Sequence, residues 1–72
     1  MSVALLLFRS THDVIRAERS CLDAGIAVQV IPVPRDISSE CGMALEIDER
    51  RLGAARSLLE SAGIVPRVHQ PG

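Results

Sequence analysis

Val3 to Phe8 is an unbroken apolar run, and a run without polar alternation predicts a central strand packed on both faces. It stops at Arg9. Ser10 and Thr11 are candidate N-caps, and Asp13 stands where a first-turn carboxylate complements a helix dipole. The 3.6-residue period then places Val14, Ala17, Cys21 and Ala24 on one face, Ile15 and Leu22 on its flank, and Arg16, Arg19 and Asp23 outside. Gly25 is the expected stop. Ile26 to Val33 is rich in β-branched residues and predicts a second strand. Pro32 and Pro34, two apart, lack N–H groups on the same side, so this strand belongs at an edge. Arg35 to Glu40 is a polar loop of hairpin length, and Met43, Leu45 and Ile47 alternate with Ala44 and Glu46 in a third strand. Asp48 caps a second helix with Leu52, Ala55, Leu59 and Ala62 inward and Leu58 beside them, closed by Gly63. Ile64 to Val68 forms a short last strand, also at an edge because of Pro66.

The order strand, helix, strand, strand, helix, strand predicts an α+β fold, a ferredoxin-like βαββαβ split sandwich over residues 1–72. Its four-stranded antiparallel sheet carries both helices on one face. Right-handed crossover then brings the start of the first helix and the loop between the second and third strands to one end of the sheet. Arg9 and His12 are expected near Arg35 and Cys41. The first strand is apolar on both faces, and Ile31 and Val33 add to the uncovered side. That open face predicts a homodimer or a docked partner protein. No linker, low-complexity segment or short-period repeat interrupts the chain.

Composition narrows the function. A chain of 72 residues, 47% hydrophobic with Phe8 its single aromatic, must build an aliphatic core, and a domain of this size buries only about 60% of its unfolded surface. A net charge of −1 offers no footprint for nucleic acid or anionic lipid. All eight basic residues are Arg, so a lysine nucleophile is excluded. The six-residue apolar start is neither a signal peptide nor a membrane span. Two cysteines without a secretion signal point to a reducing cytoplasm and no disulfide.

Cys41, between a polar loop and Gly42, is the candidate reactive group. A thiolate is favoured beside Arg, protonated His or a helix N-terminus, and the topology supplies all three. The competing reading is a small apolar residue that starts a strand. Cys21 falls at the centre of a helix face and reads as core. His12 is a solvated first-turn histidine or an acid/base toward Cys41. Arg35, Arg9, Ser39 and Gly42 make up the expected binding surroundings. The cysteines and histidines lack metal-ligand spacing, so no metal and no cofactor are expected, and no carboxylate pair or phosphate-binding glycine motif occurs.

The segments FRSTHD (Phe8 to Asp13), AER (Ala17 to Arg19) and above all IPVPRDISSECGMAL (Ile31 to Leu45) resemble the selenium/sulfur (Se/S) carrier protein-like family. The resemblance implies a domain that acts alone or fused to TusA/SirA-like sulfur carriers, with Cys41 as the carrier residue. Arg9 and Arg19 stand where similar chains often have Lys. On that reading Cys41 accepts sulfur or selenium from a desulfurase-type donor and passes it to an acceptor protein, and the domain turns over nothing by itself. The rival is a regulatory or assembly module that binds a small ligand or partner through its open sheet and loop.

Overall fold

The structure, a computed structural model, describes residues 2–34 and 42–70. Its elements are β1 (Val3–Leu7), α1 (Thr11–Asp23), β2 (Val28–Pro32), β3 (Met43–Asp48), a 3₁₀ turn (Glu49–Arg51), α2 (Leu52–Ser61) and β4 (Arg67–His69). The sheet order is β2-β3-β1-β4 and each neighbouring pair is antiparallel. β1 and β2 are thus parallel with β3 between them, the ferredoxin-like α+β arrangement the chain order predicts. None of the helices among the described residues is long and apolar enough to cross a membrane.

The prolines act at the edge as their spacing requires. Val33 N–H donates to Gly42 O at 3.0 Å, one register step beyond the Pro32–Met43 pair. Inward and outward N–H groups alternate along an antiparallel pair. Pro32, of the opposite parity, therefore has its missing donor on the free side of β2.

The helix-facing side of the sheet holds the main core. Leu6, Leu45, Ile47, Leu59, Val14 and Cys21 are its largest fully buried side chains. Each such leucine or isoleucine contributes roughly 1.5–3 kcal/mol by leaving water. Arg16, placed outside by the helical period, pairs with Asp13 at 3.7 Å and reaches Ala62 O at the end of α2, 3.4 Å away. A cation at a helix C-terminus is favourable. Ala24 and Ala62, expected inward, are exposed C-cap residues.

The other face is apolar as expected: Leu5, Leu7 and Ala44 form a second cluster with Ile31 and Val33 packed against it. It is less open than the sequence suggests, because Leu5 and Leu7 are each only 4% exposed. Among the described residues the large apolar side chains left exposed are Val3, Ile15, Leu22 and Val65.

The two halves end their helices identically. Ile26 N–H donates to Cys21 O and Ile64 N–H to Leu59 O, both at 2.8 Å, with Gly25 and Gly63 each at φ 79°. These are matching Schellman closures. Counting back by the same 38-residue offset pairs buried Cys21 with Leu59, buried Ala17 with Ala55, and the N-cap Ser10 with Asp48. The two helical halves thus correspond at these positions, offset by 38 residues.

The closures also shorten the expected strands. Ile26 and Ile64 serve the helix ends, so β2 begins at Val28 and β4 at Arg67, after Pro66.

Candidate functional site

Register settles which parts of the chain share an end of the sheet. Leu7 pairs with Ala44 and Pro32 with Met43. The turn from β1 into α1 and the two ends of the β2–β3 loop therefore leave the sheet on the same side. Arg35, Ser39 and Cys41 lie outside the described residues. Of the other predicted site residues, Arg9, His12 and Gly42 are exposed at this end.

The start of α1 is built by Ser10. Its backbone is extended, its Oγ accepts the Asp13 N–H at 3.2 Å and its carbonyl accepts the Val14 N–H at 3.2 Å. The first two helical amides, Thr11 and His12, carry the positive end of the helix. This places fixed partial positive charge, with Arg9 next to it in sequence, at the loop end.

Gly42 closes the loop. Its carbonyl takes the Val33 N–H, and its φ is +75°. A Cβ at this position would meet nothing within 4 Å, so the backbone angle, not crowding, accounts for glycine there.

Cys21 behaves as its position on α1 predicts. It is fully buried, its thiol is free, and burial pushes its pKa up. A protonated thiol without solvent access is a poor nucleophile. Cys21 is therefore a core residue, as its place on the helix face predicts.

A cleft of about 290 Å³ lies at the opposite end of the sheet, between Val3, Val28, Glu46 and Asp48. Asp48 there is committed to Arg50: its carboxylate accepts from the guanidinium at 2.9 Å and from the Arg50 backbone N–H at 2.9 Å. Sequence reasoning assigned Asp48 its capping role and missed its ion pair, which the D-E-R spacing could have suggested. Among the described residues no three His, Cys, Asp or Glu side chains converge as metal ligands.

The fold defines a class: a small ferredoxin-like domain in which the start of α1 and the described ends of the β2–β3 loop share one end of the sheet. Within that class, the model of the family described as putative Se/S carrier protein-like matches residues 4–69. The chain belongs to this family. No curated protein and no solved structure matches it.

Proposed function

We propose that the domain is a cytoplasmic carrier of sulfur or selenium, with Cys41 as the atom-bearing residue. The observation that carries this reading, beside the family, is the burial of Cys21, which leaves Cys41 as the thiol for chemistry. The donor is a desulfurase-type enzyme that presents a persulfide. The Cys41 thiolate attacks the outer sulfur, a new S–S bond forms at Cys41, the donor's S–S bond breaks, and the donor leaves as its thiolate. Delivery reverses the sense: a nucleophile of the acceptor, a TusA/SirA-like carrier or an acceptor enzyme, takes the outer atom and Cys41 departs as thiolate. Electrons balance without an outside oxidant. With selenium as the outer atom the steps are the same.

The remaining residues divide the work by chemistry. Arg35, Arg9 and the amides that open α1 favour the anionic sulfur. Ser39 belongs to the binding surroundings on this reading, and His12 manages protons at the exchange. Gly42, with no side chain, leaves space for the added atom.

Intact-mass spectrometry without reductant, after incubation with cysteine and a desulfurase, tests the reading. Adducts of one or more sulfur atoms are expected on the wild type and on Cys21→Ala, and none on Cys41→Ser. An unmodified wild-type protein whose Cys41 also resists alkylation in the native state overturns the carrier assignment in favour of a binding module.

A further inference from the structure

The exposed apolar residues of α1 are not scattered. Ile15 and Leu22, 58% and 51% exposed, are seven apart, and Glu18 and Arg19 fall between them at the third and fourth positions. Residues at i, i+3, i+4 and i+7 share one helix face. This stripe lies on the flank opposite Arg16, which reaches α2. It therefore looks away from α2, on the helix that packs over β2 and β3 at the β2 border of the sheet.

Read in one direction the stripe is apolar, acidic, basic, apolar. Read in the other it is apolar, basic, acidic, apolar, its own complement. Two copies of α1 laid antiparallel about a two-fold axis between Glu18 and Arg19 set Ile15 against the partner's Leu22 and Glu18 against the partner's Arg19, each contact made twice. An isologous interface requires that kind of self-complementarity. The charges are also available: the ion pairs within the chain among the described residues are Arg16–Asp13 and Arg50–Asp48.

From this we infer that α1 is the homodimer contact of the protein, an antiparallel helix pair centred on Glu18 and Arg19. The occupant is a second copy of this chain, because the order of charges on the stripe matches itself. The contact differs from the sheet face, where Leu5 and Leu7 are already withdrawn from water. It also has a consequence for the carrier site. Antiparallel pairing separates the two α1 N-termini by about 22 Å along the helix axis, so each protomer presents its loop end independently.

Sedimentation or light scattering across a concentration series tests the contact, with circular dichroism to verify folding of every variant. The wild type is expected to dimerise. Leu22→Arg, at an exposed position, is expected to leave a folded monomer. Glu18→Arg and Arg19→Glu each set like charges together twice, and the dimer is expected to weaken about tenfold or more. The double variant Glu18→Arg/Arg19→Glu restores opposite charges across the axis and is expected to regain the dimer. A monomeric wild type, a dimer indifferent to Leu22→Arg, or a double variant no stronger than the singles overturns the assignment. None of these outcomes bears on sulfur transfer to Cys41.

Discussion

Asp48 shows how one side chain ties the sheet to the second helical half. It ends β3, caps the 3₁₀ turn through the Arg50 N–H, and pairs with the Arg50 guanidinium. The side-chain hydrogen bond from Arg50, followed by the backbone hydrogen bond, lowers its pKa from the ordinary 3.8 to about 2. A depressed carboxylate stabilises the fold above its unfolded pKa and loses that contribution as pH falls through the folded value. The window is therefore pH 3.8 down to about 2. Asp48→Asn keeps an acceptor for the cap but removes the charge. Acid titrations followed by circular dichroism should show wild-type stability falling more steeply than that of the variant across this window. Equal slopes would mean that the exposed pair is screened to nothing. At the candidate site, the residue scale is where the sequence was least informative. It placed Cys21 in the core, because Cys21 sits on the apolar face of a helix, whereas Cys41 lies outside the described residues. For the Asp48–Arg50 pair the D-E-R spacing was the one signal, because no periodicity announces the 3₁₀ turn that brings the two together.

At the scale of elements, the two helix ends offer an internal comparison. Gly25 and Gly63 share φ 79°, the same closing hydrogen bonds and open space where a Cβ would project. Only the left-handed backbone angle then penalises alanine, by about 1–2 kcal/mol. Gly25→Ala and Gly63→Ala should lower the unfolding free energy by matching amounts in urea titrations. A large difference would show that one closure is strained by its surroundings. The same motif explains which boundaries were legible. The alternation of Met43, Leu45 and Ile47 defined β3 from its first residue, whereas Ile26 and Ile64 look like strand residues and are used to close helices. Apolar character is common to both roles, so composition could not separate them. The correspondence of the two halves was hidden for a related reason: Cys21 matches Leu59 in burial, not in identity, and short-period inspection does not register a match 38 residues away.

For the molecule as a whole, a slab of 30 × 28 × 16 Å leaves a thin core with unequal sides. Leu6 sits at 0% exposure within the large cluster under both helices, while Leu5, its neighbour on β1, belongs to the small cluster on the other face. Native stability of about 0.05–0.15 kcal/mol per residue implies roughly 4–11 kcal/mol for a chain of this length. A buried Leu→Ala change costs about 2–5 kcal/mol, rising with the cavity that remains. Leu6→Ala is held open by two packed layers and should fall at the upper end, enough to unfold a large fraction of the chain. Leu5→Ala opens space in the small cluster of Leu7, Ala44, Ile31 and Val33, whose half-buried members can settle into it, and should fall at the lower end. Urea unfolding at one fixed protein concentration measures the difference, since pairing through α1 would make stability rise with concentration. Equal losses would mean that the second face is packed as rigidly as the first. In that case the partial exposure of Ile31 and Val33 would not reflect a looser layer.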